Sequence, residues 1–260
     1  MVGQKKLTEK LNSLTFVSFT CPYLFIGPVG CGKRVFAQYA AKILGIPFVE
    51  ITREFNRDDL SEICICPIPK LYYIDLSEFT EAQQSQFLKF IEEPGKNVRL
   101  ILGTVSETRV METILNRCVR YNFEKYTVDE LKEITHKDGD LIYKVFSTPG
   151  LINGTDDTEL ETILNFTNGV IMNISTSPIV ELMNWTTKIN YKEEYDKIDF
   201  YKFFIGLRYV AFNTYMKNNN RKYYQAFIAA TVALRELEYK GISKENFMIQ
   251  FLLHLKEVLS

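Results

Sequence analysis

The stretch YLFIGPVGCGK, Tyr23–Lys33, decides the fold of this chain. It follows the phosphate-binding loop pattern of Gly, four residues, Gly-Lys, and then Ser or Thr. Gly27, Gly32 and Lys33 occupy the fixed positions. The four residues between the glycines are Pro28, Val29, Gly30 and Cys31. Because such loops surround phosphates with backbone N–H groups and add a lysine cation, the stretch predicts an anion-binding turn between a strand and a helix.

The residue after the loop departs from the pattern. Arg34 stands where Ser or Thr supplies the hydroxyl that binds Mg²⁺ in nucleotide hydrolases. Its guanidinium either neutralises a phosphate or lies in solvent. The sequence therefore leaves ATP or ADP binding open, and it predicts a site that is poorly built for Mg²⁺ and for hydrolysis.

A second motif also departs from the usual form. The apolar run Leu71–Ile74 predicts a buried strand, and Asp75 follows it where a Walker-B aspartate would help to hold Mg²⁺. The next position, usually a water-orienting Glu in such ATPases, is Leu76. Two interpretations of Asp75 stay open: a relic of a metal site, or a cap on the turn after the strand.

Composition sets limits on the function. The 260 residues carry a net charge of −1, with 46% hydrophobic and 24% charged residues, which is typical of a globular protein. Near-neutral charge argues against a surface that binds nucleic acid everywhere, although a local basic patch stays compatible. No segment reaches membrane-spanning length, so we expect no membrane contact and a cytoplasmic location. The five scattered cysteines suggest reduced thiols, and Cys64-Ile65-Cys66 lacks the second pair that a zinc site needs.

Alternating strand and helix patterns up to residue 123 predict an α/β fold with a mainly parallel, doubly wound sheet. We expect strands over 23–26, 48–52, 71–74, 98–103 and 119–123. We expect helices over 7–14, 34–44, 80–93 and 112–116, and a loop over 56–69. In the helix 34–44, the predicted apolar side consists of Val35, Phe36, Ala40, Ile43 and Leu44.

From residue 127 the pattern becomes helical, and three amphipathic helices are predicted after Asp199. The first is marked by Phe200, Phe203, Phe204, Leu207, Val210 and Ala211. The second is marked by Tyr224, Phe227, Ile228, Thr231 and Leu234 and is closed by Gly241. The third is marked by Phe247, Phe251, Leu252, Leu255, Val258 and Leu259.

Four segments together resemble the AAA+ clamp-loader family, and most closely its delta-prime type. Residues 71–94 run from the strand to FLKFIEEP, which is similar to the family's LLK-x-LEEP signature. Residues 114–118, ILNRC, resemble its I-x-SRC box, with Asn for Ser. Residues 2–4, VGQ, resemble a box near the adenine pocket, and residues 100–104 resemble the sensor-1 strand, which ends at Thr104.

This resemblance implies a nucleotide-binding domain over 1–125, a helical lid over 126–190 and a helical collar over 191–260. It implies other clamp-loader subunits as partners, and the sliding clamp and primer–template DNA through their complex. The match has three departures, and one of them is that the region over residues 45–70 is short. The zinc module that is usual in delta-prime subunits is missing, and residues 147–150 lack the sensor-2 arginine that the lid would supply.

The resemblance also gives Arg117 a role. It implies an arginine that reaches across a subunit boundary and stabilises charge on the neighbour's ATP. Two alternatives stay open. The chain is a slow ATPase in which Lys33 and Asp75 hold nucleotide with help from Ser77 or Glu78, or it is a non-replicative adaptor that has kept only the fold.

Overall fold

The computed structural model describes residues 1–52, 54, 57–190, 198–237 and 243–260. Its chain divides into two compact units. The first contains Met1–Lys137 and Thr148–Leu151, and the second contains Asp138–Ser147 and Ile152–Ser260. The predicted collar boundary at residue 191 and the turn at Gly241 lie outside the described residues.

A five-stranded parallel sheet forms the centre of the first unit, in the order β2-β3-β4-β1-β5. The strands are β1 (Tyr23–Ile26), β2 (Phe48–Ile51), β3 (Lys70–Asp75), β4 (Val98–Thr104) and β5 (Val119–Asn122). β1 pairs with β4 on one side and with β5 on the other. Every pairing within this sheet is parallel, so the helical connections cover the sheet and its central strands are mostly apolar. The predicted α/β class and parallel sheet are confirmed.

Helices and short turns connect these strands. They are α1 (Lys5–Asn12), α2 (Lys33–Leu44), α3 (Arg57–Ile65), α4 (Glu81–Gln86), α5 (Leu88–Glu92), α6 (Glu112–Leu115) and α7 (Val128–Thr135). Single 3₁₀ turns lie at Leu76–Glu78 and Glu107–Arg109. The predicted capping box at Thr80 is confirmed, because Thr80 and Gln83 exchange side-chain and backbone hydrogen bonds.

Three local expectations in this unit were wrong. Val35 and Ile43 of α2 are exposed, whereas Phe36 and Ala40 are buried as predicted, together with other small alanines that allow close approach to the sheet. Residues 57–65 form α3 rather than a loop, because Pro67 and Pro69 follow the helix instead of interrupting it. The single helix predicted over 80–93 is two helices that meet at Phe87.

The second unit is helical. Its helices are α8 (Leu141–Val145), α10 (Asp157–Asn173), α11 (Ile179–Thr187), α12 (Phe200–Asn218), α13 (Arg221–Glu236) and α14 (Lys244–Leu259). The helix α9 (Pro149–Asn153) spans the point where the chain passes from one unit to the other. Two short parallel strands, β6 (Ile189–Asn190) and β7 (Ile198–Asp199), pair with each other.

The predicted stripe of α12 is buried as expected, whereas that of α13 is buried at Leu234 and wrong at two other positions. Tyr224 and Ile228 are exposed. The buried face of α13 consists of Ala226, Ala230, Ala233 and Leu234. Small side chains allow the helix backbone to approach its neighbours closely, so packing overrides the larger apolar residues. Of the predicted α14 stripe, Phe247 and Val258 are only half-buried.

Helix α10, which precedes the predicted 190/191 boundary, packs against helix α12, which follows it. Phe166 of α10 contacts Phe203 of α12, with ring centroids 5.8 Å apart. Gly206 of α12 lies so close to Ile163 that an added Cβ would be 2.6 Å from its side chain. One compact unit thus holds residues from both predicted segments, and the three-domain division stays a prediction. Within the described part of the chain, no helix is both long and apolar enough to cross a membrane.

Candidate nucleotide site and arginine site

The phosphate loop, residues Gly27–Gly32, joins the end of β1 to the start of α2. The backbone N–H of Gly27 donates to the Thr104 carbonyl at 3.0 Å, which fixes the loop to the end of β4. Gly30 and Gly32 have φ angles of 76° and 98°. Both angles lie in the left-handed region that glycine adopts without steric cost. The backbone conformation therefore explains two of the loop's glycines without reference to a ligand.

The Lys33 side chain folds back onto the phosphate loop and hydrogen-bonds to it. Its Nζ donates to the Gly27 carbonyl at 2.8 Å and to the Pro28 carbonyl at 3.3 Å. The residue is 6% exposed. A buried ammonium needs hydrogen-bond acceptors, and here the loop's own backbone supplies them. These two bonds use two of the three donors of the ammonium.

A segment that we call the strap, Thr148–Leu151, holds the phosphate loop from another side. Thr148 Oγ1 donates to the Val29 carbonyl at 3.0 Å, and the Gly150 N–H donates to the Gly30 carbonyl at 2.8 Å. A Cβ added to Gly150 would lie 2.7 Å from the Gly30 Cα, so the contact requires a glycine there. Sequence reasoning considered this segment only as a place for an arginine. No local pattern reveals a partner that lies more than a hundred residues away.

Tyr126 supplies a further contact that sequence reasoning missed. Its Oη donates to the Cys31 carbonyl at 2.8 Å, and burial raises the pKa of Tyr126 to about 12. The ring also lies against Gly3, where an added Cβ would be 2.5 Å from it. The next residue, Gln4, exchanges two hydrogen bonds with the Glu124 backbone. The VGQ segment thus fixes the chain that places Tyr126 on the loop.

Arg34 lies largely in solvent, which is one of the two environments considered from sequence, and it also forms an ion pair. Its Nη2 lies 2.6 Å from a carboxylate oxygen of Glu50 on β2. Lys33 and Arg34 both lie at the N-terminus of α2, where the helix dipole disfavours cations, and the first turn has no acidic residue. Backbone carbonyls accept hydrogen bonds from Lys33, and the Glu50 carboxylate offsets the charge of Arg34.

Asp75 caps a turn in the structure. Its Oδ1 accepts from the Ser77 N–H at 3.0 Å, which begins the 3₁₀ turn after β3. The Tyr73 hydroxyl lies 3.5 Å from the other carboxylate oxygen, and burial together with the Asp75 charge raises the pKa of Tyr73. Leu76 is completely buried in the core. At this position the chain thus has a packing residue in place of a water-orienting carboxylate.

The oxygen ligands that Mg²⁺ prefers are poorly represented here. Asp75 has one oxygen engaged by the turn, and Arg34 brings a cation instead of a hydroxyl. Thr104 is buried, and its Oγ1 donates to the Ser106 carbonyl. In the ranges the structure describes, no group of three or more His, Cys, Asp or Glu side chains is placed to hold a metal ion. The residues present do not fit Mg²⁺.

Arg117 lies at a different place, just after α6. Its Nη1 donates to the Thr113 carbonyl at 2.6 Å, and its Nη2 lies 2.6 Å from Glu92 Oε1. The Arg117 side chain is 39% exposed and that of Glu92 43% exposed. This ion pair joins the FLKFIEEP and ILNRC segments in space. Sequence reasoning named Arg117 but missed Glu92, although both occur in the motifs it quoted.

The next residue, Cys118, is half-buried, and burial raises the pKa of its thiol to about 12. The predicted site residues thus fall into two groups. The phosphate loop, Asp75 and Thr104 lie where β1, β3 and β4 end. Arg117 instead contacts Thr113 and Glu92.

Comparisons with known proteins find DNA polymerase III subunits among the proteins that this chain resembles. A family model described as DNA polymerase III, delta subunit, matches residues 69–127. DNA polymerase III subunit tau of Bacillus subtilis is 26% identical over 162 residues, which are 49% of this chain and 29% of that protein. Subunit gamma of Buchnera aphidicola is 23% identical over 66% of this chain and 56% of that protein.

Among solved structures, a DNA polymerase III gamma subunit-related protein from Thermotoga maritima aligns with 98% of this chain and 99% of its own. The TM-score is 0.46 and the identity 15%. The chain spans about a third to a half of the length of the curated relatives named above. The family model and the two relatives show that the chain is similar, over part of its length, to subunits of DNA polymerase III. They do not distinguish a delta-prime type from the others.

Proposed function

We propose that this protein is a delta-prime-like subunit of the DNA polymerase III clamp loader. In this role it assembles with other clamp-loader subunits and supports ATP-driven loading of the sliding clamp onto primed DNA. Its own nucleotide site does not turn over ATP, and Arg117 acts on ATP that a neighbouring subunit holds.

The contrast between two cations supports this proposal. Lys33 is buried and bonded to the loop's own carbonyls, whereas Arg117 is fixed at the surface with part of its guanidinium exposed. A cation that stabilises phosphoryl transfer in another subunit has to be available at the surface. Arg117 meets that condition, and Lys33 does not.

The chemistry expected of Arg117 is electrostatic. Phosphoryl transfer spreads negative charge over the transferred group, and a guanidinium placed beforehand stabilises that charge without reorganising during the reaction. Arg117 supplies no proton and forms no bond in this step. A subunit with Leu76 at the water-orienting position can still provide such a cation, because the reacting groups belong to its neighbour.

The test is single-turnover ATP hydrolysis by the complex reconstituted with its partner subunits. An arginine finger contributes about 10³–10⁵ to the rate at its site. Arg117→Ala should therefore remove the contribution of the site that it faces, while assembly and stability stay close to wild type. Arg117→Lys should restore little, because an ammonium lacks the planar fork of donors.

Arg120→Ala is the matched control. Arg120 is a nearby arginine of similar exposure that is paired with Glu107 at 3.2 Å. Equal rates for wild type and Arg117→Ala at matched assembly would refute the trans role. Turnover by the isolated protein that disappears in Lys33→Ala would favour a slow ATPase instead. Failure to join any clamp-loader subunit would favour an adaptor.

A further inference from the structure

Arg117 is held by two groups from different helices, and this arrangement has a consequence for its action. Glu92 is the last residue of α5, and Thr113 lies in α6. We propose that Glu92 is a positioning residue for Arg117, which holds the guanidinium ready for a phosphate of a neighbouring subunit. This inference rests on the proposed function.

The hydrogen-bond geometry leaves room for such a phosphate. A guanidinium carries five N–H donors in a fixed plane. Among the residues that the structure describes, one donor on Nη1 bonds to the Thr113 carbonyl and one on Nη2 bonds to Glu92, which leaves three of the five for a phosphate. Arg117 can therefore face a phosphate without releasing Glu92. An arrangement in which Glu92 blocked all donors would instead make it a competitor of the phosphate.

Glu92 acts through the freedom of the arginine side chain. Arginine has many rotamers, and ordering them during the reaction would oppose catalysis. Two anchors separated by the α5–α6 connection restrict these rotamers in advance. Both side chains of the pair are partly exposed, so we expect a modest effect.

A competing effect has the opposite sign. The Glu92 carboxylate lies 2.6 Å from the guanidinium and offsets part of its positive charge. If this dominated, removal of the carboxylate charge would strengthen attraction to phosphate and raise the rate. The sign of the change in rate therefore separates positioning from simple charge neutralisation.

Glu92→Gln tests the inference, because it keeps the shape of the side chain and removes the charge. The neighbouring exposed residue Glu93 supplies the matched control, Glu93→Gln. In the reconstituted complex, Glu92→Gln should lower kcat about two- to fivefold and leave the KM for ATP unchanged. Glu93→Gln should behave like wild type.

A double-mutant cycle with Arg117→Ala distinguishes positioning from a structural role. If Glu92 acts through Arg117, Glu92→Gln should have no further effect once Arg117 is removed. A rate equal to or above wild type for Glu92→Gln would overturn the inference, and so would an equal loss with and without Arg117. A normal rate for Arg117→Ala would instead refute the proposed function itself. A defective Arg117→Ala beside a normal Glu92→Gln refutes only the role of Glu92.

Discussion

The phosphate loop and the arginine site each contain a strong cation, but the fold treats the two cations differently. Lys33 is buried, and its donors bond to carbonyls of the same loop. Arg117 is anchored by Glu92 and Thr113 while part of it stays exposed. The difference teaches that a familiar motif does not by itself show where a charge can act. In this chain the lysine of the phosphate loop is hydrogen-bonded to carbonyls of the loop itself. The arginine of the ILNRC segment is instead partly exposed at the surface.

Leu76→Glu should produce the largest change in stability. It places a carboxylate at the position that a water-orienting Glu usually occupies in such ATPases. Leu76 is completely buried in the core. A carboxylate there would be an unpaired buried charge, so we expect a loss of about 3–5 kcal/mol in the free energy of unfolding. Urea denaturation measures it, with Leu76→Met as the control at below about 1.5 kcal/mol. A stable Leu76→Glu protein that hydrolyses ATP would contradict the contrast drawn above.

Gly30→Ala should have the next largest effect, because it tests how firmly the strap holds the loop. An added Cβ would lie 2.9 Å from both the Leu151 nitrogen and Thr148 Oγ1, at a φ angle of 76°. Left-handed strain together with the clash should lower the free energy of unfolding by about 2–4 kcal/mol. Gly45→Ala is the matched control, with φ of 65° and no atom within 4 Å of the added Cβ, and it should cost about 1 kcal/mol. Equal losses for the two variants would mean that the strap does not restrain the loop.

Cysteine alkylation should give a smaller difference that compares the two regions directly. Cys31 lies in the phosphate loop and Cys118 follows Arg117, and burial raises the pKa of both thiols. A raised pKa leaves less of the reactive thiolate at pH 8, so both should react more than about tenfold more slowly than the exposed Cys21. Mass spectrometry after timed labelling measures these rates. If ATP enters the loop, it should change labelling of Cys31 and leave Cys118 unaffected.

Rapid labelling of Cys31 in the absence of ATP would show that the loop opens readily. In that case a nucleotide could reach Lys33, and the difference in accessibility between Lys33 and Arg117 would be smaller.

Arg34→Thr should have the smallest effect on stability. It restores the hydroxyl of the phosphate-loop pattern and removes an exposed ion pair with Glu50. Such pairs contribute about 0.2–1 kcal/mol, which thermal unfolding can resolve against the matched variant Glu50→Gln. We expect no ATP turnover in Arg34→Thr, because Leu76 still occupies the water-orienting position. Turnover in this single variant would show that the missing hydroxyl alone had silenced the site.

The sequence predicted those parts of the fold that depend on local patterns. The strand β1, the loop glycines and the capping box at Thr80 each follow from a few adjacent residues, and the structure has all three. The parallel sheet followed from the alternation of such segments. The observed ends of its strands differ from the predicted ends by at most about one residue.

Features that depend on distant residues could not be predicted in the same way. The strap meets the loop from 119 residues away in the chain, and the partner of Arg117 comes from a different helix. On α13 the alanines are buried and Tyr224 is exposed, because close helix packing favours small side chains over large apolar ones. Prediction from sequence patterns considers how apolar each residue is. It does not account for the space that a neighbouring helix leaves for that side chain.

The pairing of β1 also affects how the protein is made. Tyr23–Ile26 pairs with β4 and β5, so on a ribosome this apolar strand emerges about 70 residues before the first residue of β4. At synthesis rates of about 5–20 residues per second, the strand stays unpaired for about 4–14 s. The strand that precedes the phosphate loop is therefore synthesised early, but the strands that pair with it are synthesised later. During that interval its apolar side chains are open to chaperones and to other nascent chains.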